Sequence, residues 1–385
     1  MKTSVSLLFA FGTCASLWAA SAPERVIVSP LCAATESWNQ DGKMDDYIGG
    51  WLCGCDPLAW GQVAVYHALN HGIPSGSWKP PEVPGEIVDY YKGVTVNGTV
   101  EMRSSMYREP YDWVAVRDRK KVKLQDGTED NPVARLMYDF GILGGAQYTK
   151  GATMATVDQE GFKDYFGFED GYCYTRPSPD WIMRMPEGFD WDDMLHRILR
   201  VSLQVGAPLC TGIYTTTANG GHMIVADGWG VDADGTEFIH VNYGWGGGSN
   251  GWWDWERVSD EPANDRGFQN VYANVFPTAL GSVVVGRVSD AGRAPIVGAA
   301  VTLTAKDGTV WTARTDAEGC YVFKNLPLVD TKTLYPPTAL PTDTYTVAVS
   351  AAGYVSQSAT VTVEGYIDDA LRNQKNDEWE GKGDG

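Results

Sequence analysis

Residues 51–74 read WLCGCDPLAWGQVAVYHALNHGIP. Leu58, Gln62, Val65 and Leu69 fall on one stripe at helical spacing, with Ala59, Val63 and Tyr66 beside it. The segment after Cys55 is therefore predicted to be an amphipathic helix. Pro57 suits its first turn, and Gly72 with Pro74 suits its end. Cys55 then stands at a helix N-terminus, where the positive end of the backbone dipole and unpaired N–H groups favour thiolate. Thiolate is the form that attacks a carbonyl carbon.

A nucleophile needs a base, and a second stretch supplies one: GGHMIVADGWGVDADGTEFIHVNYGWGGGSNGWW, residues 220–253. Here the apolar period is two. HMIVADGW and TEFIHVNYGW read as strands separated by Asp232-Ala233-Asp234-Gly235, good turn chemistry. A hairpin centred near residue 233 sets His222 and Asn242 on adjacent strands, a few residues apart in register.

Between these stretches, residues 75–131 are rich in Pro, Gly and charge and read as loops with short elements; the run RDRKKVK (117–123) reads as a solvated surface. NPVARLMYDFGIL has helical spacing through Val133, Leu136, Met137 and Phe140, with Gly141 as a stop. FKDYFGF (162–168) and FDWDDMLHRILRVSLQVG (189–206) suggest further helices, and PLCTGIYTT (208–216) another strand. Helices first and an antiparallel sheet after is an α+β pattern. From Gly281 to Val363, short strands recur with turns at Ala291-Gly292, Asp307-Gly308 and Glu318-Gly319, predicting a small β-sandwich. Residues 364–385 are polar and read as a frayed tail.

Composition narrows the class. At 385 residues and 43% hydrophobic content the chain is long enough for two or three globular domains. Lys2, an apolar run and the small residues Ala19 to Ala22 make residues 1–20 a secretory signal, which places the mature protein outside the cytoplasm, in periplasm, at the cell surface or in the medium. No other stretch is fit to span a membrane. A net charge of -19 argues against nucleic acid and anionic membranes as partners. Six cysteines follow the signal, and with Cys55 free the other five cannot all pair; a Cys32–Cys53 bridge is left open. His67 and His71 have the spacing of two metal ligands on a helix, but Ala68 replaces the glutamate of a zinc protease, and both read as helix-surface residues. No metal and no cofactor is expected.

Residues 38–256 resemble the streptopain family of papain-like cysteine peptidases. The resemblance rests on Gly54-Cys55, Ala59, Gln62 and Tyr66-His67, then Gly221-His222, Asp227-Gly228, His240-Val241-Asn242 and Gly244-Trp245-Gly246-Gly247. Tyr111-Asp112-Trp113 and Ala134-Arg135-Leu136-Met137 also sit where the family has similar stretches. The resemblance implies a peptidase domain over residues 23–279 with Cys55 as nucleophile, His222 as general base and acid, and Asn242 orienting the imidazole. Gln40, within Trp38-Asn39-Gln40, would donate to the oxyanion. Residues 281–363 resemble a carboxypeptidase regulatory-like domain, through Gly286-Arg287-Val288, Gly298 to Val301, Thr315 to Tyr321 and Gly353-Tyr354; that implies a spacer or an extracellular docking module.

Two residues depart from the pattern. Asp56 follows the nucleophile where the family carries an apolar residue, and Tyr243 replaces a tryptophan. Only residues 21–37 separate the signal from Trp38, where family members carry a long inhibitory segment. The expectation is a secreted endopeptidase acting on proteins or peptides. The alternative is an inactive homologue serving as an extracellular binding or adhesion protein.

Overall fold

The computed structural model describes residues 22–44, 46–71, 94–96, 99–101, 110–149, 153–157, 172–175, 191–215, 220–255, 258, 268–273, 282–292, 294–316, 319–326 and 342–364. The expected signal at 1–20, the expected helix at 162–168 and all but the first residue of the expected tail at 364–385 lie outside them.

Strand β1 (Arg25–Val28) precedes helix α1 (Cys55–His71), strands β2 (Val94–Val96) and β3 (Thr99–Glu101), and helix α2 (Trp113–Asp118). Strands β4 (Val122–Lys123) and β5 (Glu129–Asp130), helix α3 (Pro132–Leu143), and strands β6 (Gln147–Tyr148), β7 (Thr153–Met154) and β8 (Tyr172–Thr175) follow. Helix α4 (Trp191–Gln204) leads into β9 (Leu209–Thr215), β10 (Gly220–Val231), β11 (Glu237–Asn242), β12 (Gly251–Asp254) and β13 (Phe268–Ala273). The main sheet runs β12-β11-β10-β9-β13-β8, with β1 also paired to β10, and every pairing in it is antiparallel. This is the expected α+β, papain-like arrangement of a cysteine-bearing helix against a sheet that carries histidine and asparagine.

Helix α1 lies between α3 and the β9–β10 face of the sheet. It is more deeply buried than a single apolar stripe predicts. Leu58, Trp60, Val63, Ala64 and Val65 are closed off, and only the last turn, at Leu69 and Asn70, opens to water. Each such large apolar side chain contributes roughly 1.5–3 kcal/mol. Polar side chains of this helix are buried too. Gln62 donates its Nε2 proton to the Thr35 carbonyl at 3.1 Å. His67, read above as a surface histidine, is fully buried against the Tyr66 ring.

Helix α3 corrects the sequence at one residue. Gly141 lies inside the helix, which runs on to Leu143 and ends at Gly144. A Cβ at Gly141 would stand 1.8 Å from Tyr148 Oη, so glycine is there for close packing and not as a stop. Arg135, buried in α3, pairs with Asp130 at 3.0 Å and lies over the Tyr111 ring at 4.3 Å. Tyr111 Oη in turn donates to Asp139 at 2.6 Å. This network is what the Tyr111 and Arg135 stretches build. The run at 117–123 is solvated, as expected, with Lys120 and Lys121 exposed.

The C-terminal body is all β. Strands β14 (Ser282–Arg287) and β17 (Cys320–Leu326) pair with each other. The second sheet has the order β16 (Val310–Arg314), β15 (Ala300–Ala305), β18 (Thr342–Ser350), β19 (Gln357–Glu364). Between the sheets lie Val284, Val301, Leu303, Phe323, Tyr345 and Val347. No disulfide joins Cys32 to Cys53, so the bridge left open by the sequence is not made. Among the described residues, no helix is long and apolar enough to cross a membrane.

Candidate active site

Cys55 is the first residue of α1, and Gly54 before it adopts φ +97°, a left-handed turn that delivers the chain to the helix. That turn is bolted to β7, where Thr153 Oγ1 donates to the Leu52 carbonyl at 2.5 Å. On the other side, the N–H of Cys53 donates to the carbonyl of Gln40 at 2.9 Å. Gln40 and Cys55 are thereby held on neighbouring segments.

The Gln40 segment is also fastened to the glycine-rich loop after β11. Gly246 donates its N–H to Trp38 O at 2.8 Å, and Asn39 forms an isolated bridge with Trp245. Gly244, Gly246 and Gly247 all have positive φ, which lets this loop double back. A Cβ on Gly244 would meet Leu58 of α1 at 2.6 Å. The glycines of the motif therefore bring strand β11, helix α1 and the Gln40 segment together.

His222 lies near the start of β10, and Asn242 ends β11. The register pairs Val225 with Asn242, so His222 is three residues from the position opposite Asn242, as the hairpin predicts. His222 is 8% exposed, with the Trp245 ring stacked on it at 4.6 Å and 26°. Its Nε2 lies 2.9 Å from the carbonyl oxygen of Tyr243. A carbonyl only accepts, so Nε2 carries the proton and Nδ1 holds the lone pair.

This differs from the role that the resemblance implies for Asn242. Its Oδ1 accepts the N–H of Gly244 at 2.9 Å, and no hydrogen bond joins it to His222 among the described residues. The Tyr243 carbonyl accepts the hydrogen bond of the Nε2–H instead. Asn242, 1% exposed, caps the start of the loop that carries Trp245. Sequence alone marks Tyr243 only as the replacement of a tryptophan and Trp245 only as part of the Gly244–Gly247 motif. The signal for both was the run from Tyr243 to Gly247, but a main-chain carbonyl leaves no mark on residue identity.

The electrostatics also depart from expectation. Burial pushes the Cys55 thiol up to about 11, and the neighbouring Asp56 adds to the rise. The N–H of Met223, next to His222 on β10, and those of Asp56 and Cys55 pull the other way but lose. The helix dipole therefore does not by itself yield the thiolate predicted above. Burial likewise drives His222 down to about 4, against the Tyr243 carbonyl, which favours the protonated ring. Cys55 and His222 rest as neutral thiol and neutral imidazole.

A cavity of about 820 Å³ lies in the C-terminal body, bounded by Arg287, Tyr321, Val347, Tyr354 and Val355. It holds none of the four candidate residues. No group of three or more His, Cys, Asp or Glu side chains is arranged to hold a metal among the described residues.

Comparison with known proteins points the same way. The thiol protease/hemagglutinin PrtT of Porphyromonas gingivalis is 26% identical over 217 residues, covering 51% of this chain and 23% of that protein. The chain thus spans about a quarter of that relative. Interpain A, a cysteine protease of Prevotella intermedia solved in its active wild-type form, is 22% identical, with 65% of this chain and 95% of that one covered at a TM-score of 0.42. Residues 283–335 match the carboxypeptidase regulatory-like domain. Residues 35–253 match the Peptidase C10 family, the streptopain family of the sequence analysis. That match takes in more than half of the sequence, and the chain belongs to this family of cysteine peptidases.

Proposed function

We propose that the protein is a secreted or extracytoplasmic cysteine endopeptidase, with Cys55 as nucleophile and His222 as base and acid. The observation that carries the proposal is the fixed tautomer of His222. With Nε2–H held by Tyr243 O at 2.9 Å, Nδ1 is the ring's one basic atom, on the residue adjoining the Met223 N–H that bears on the Cys55 thiol.

In this reaction the Cys55 thiol proton passes to His222 Nδ1 as Sγ attacks the scissile carbonyl carbon. The oxyanion draws on the carboxamide of Gln40, a donor worth roughly 3 kcal/mol of barrier. His222 then gives its proton to the leaving amine, the C–N bond breaks, and a thioester remains on Cys55. Water attacks the thioester, passes a proton to His222, and the acid product leaves as the thiol is restored. Because thiol and imidazole begin neutral, proton transfer accompanies attack instead of preceding it. Tyr243 O favours the protonated ring, and so stabilises the imidazolium as it forms.

The same raised thiol, with Asp56 beside it, is what favours the second reading, an inactive homologue that binds other proteins through its C-terminal body. A thiol-directed epoxide separates the two. The peptidase reading expects one adduct, mapped by mass spectrometry to Cys55 and lost in His222→Ala; an unlabelled Cys55 supports the binding protein.

A further inference from the structure

Asp56 is the residue by which this chain departs from its family at the nucleophile, and the structure gives it a defined place. It is 3% exposed in the first turn of α1. Its Oδ2 accepts the N–H of Val157 at 2.5 Å, in the segment that follows β7. Its Oδ1 is shut from solvent on the side of the Trp60 indole, which also stabilises the charge. Trp60 is itself held edge-on by Tyr272 of β13 at 5.2 Å.

Two bonds therefore flank Cys55 and tie its turn to the same segment: Thr153 to Leu52 before it, and Val157 to Asp56 after it. The carboxyl cannot swing away into water. Whatever charge it carries is delivered against the thiol of Cys55.

We propose that Asp56 is a positioning residue that anchors the nucleophile's turn to residues 153–157 and, through its protonation state, sets the pH range in which Cys55 can become thiolate. The proposal rests on the reading of Cys55 as the nucleophile.

The groups facing Asp56 make this workable. From its own helix come Cys55 and Trp60; from β9 comes Cys210, whose thiol is raised by burial and then by Asp56; from the segment after β7 comes only the Val157 peptide. Tyr272 reaches it only through Trp60. His222, on β10, is kept neutral by burial. Among the described residues, no Lys or Arg contributes to the titration of Asp56 or Cys55. Burial lifts Asp56 itself to about 7, ahead of the opposing pull of Val157 and Trp60. While the carboxyl is neutral it does not oppose ionisation of the thiol. As pH climbs through 7 it ionises and resists a second negative charge beside it. Ionisation of Cys55 is thus held back to a higher pH than burial alone sets.

The test reads the thiol directly, without a peptide substrate. Iodoacetamide labelling of Cys55, followed by mass spectrometry from pH 4.5 to 12, is compared in wild type and Asp56→Asn, which keeps an acceptor for Val157. The expected result is a midpoint at least one unit lower in the variant, hence roughly tenfold faster labelling near pH 8. Coincident midpoints would overturn the proposal. Should the variant not fold, infrared spectra of the wild type decide: a protonated carboxyl band that persists at pH 6 and disappears through 7 supports it, and none above pH 5 sinks it. A shifted midpoint with no cleavage of any protein would leave Asp56 as assigned and remove the peptidase reading alone.

Discussion

Replacing Asn242 by alanine distinguishes a loop cap from a residue that orients the imidazole. Asn242 is 1% exposed, and its Oδ1 accepts the Gly244 N–H at 2.9 Å. Alanine leaves that N–H buried without an acceptor, a loss of about 1–3 kcal/mol. For a domain of this size each kcal/mol lowers the melting temperature by roughly 2–4 °C, so a fall of about 2–12 °C is expected. Asn242→Ser places a shorter oxygen where it can accept the same N–H two residues on, and should recover much of the loss. His222 keeps its bond to Tyr243 O in both variants. The pH midpoint of Cys55 alkylation should therefore stay where it is, while peptide turnover falls as the Trp245 loop loosens. Calorimetry and alkylation on the same samples give both readings. An unchanged melting temperature in Asn242→Ala, or a midpoint that moves with it, would refute the reasoning.

Two further outcomes follow from burial. Asp56 sits at about 7 in the fold against 3.8 in the open chain, so the folded state holds an extra proton between those values and stability falls as pH rises through them. His222 sits at about 4 against 6.5, so the unfolded state holds the extra proton and stability rises with pH over that window. The two nearly offset in wild type. From pH 4.5 to 6.5, Asp56→Asn should gain about 2 kcal/mol more than wild type does, and His222→Gln about 2 kcal/mol less, measured by urea unfolding at each pH. Gly141→Ala should cost about 1–3 kcal/mol, because its Cβ meets Tyr148 Oη at 1.8 Å. Adding Tyr148→Phe, which deletes that oxygen, should return part of the loss in a double-mutant cycle; strict additivity would contradict the packing argument.

The helix behind Cys55, the hairpin that aligns His222 with Asn242 and the strands of the C-terminal body were all legible, because each follows from apolar period and turn residues. What was not legible depends on partners distant in sequence. His67 looks solvent-facing by type, yet it is fully buried against Tyr66. Gly141 reads as a terminator until Tyr148 is seen leaning against it. The pairing of β1 with β10 joins residues about 200 positions apart through an irregular register, which no local pattern announces. At the candidate site, residue types pointed to Cys55 and His222, but not to burial outweighing the helix dipole at the thiol. Nor did they show that a backbone carbonyl accepts the hydrogen bond of the imidazole N–H.

The central claim is that Cys55 cleaves peptide bonds. The most direct measurement is digestion of unfolded casein by the purified protein under reducing conditions, beside Cys55→Ala and beside wild type treated with a thiol-directed epoxide. The account predicts fragments from the untreated wild type and none from either control. Casein left intact by all three, with Cys55 unmodified by the epoxide, would contradict it.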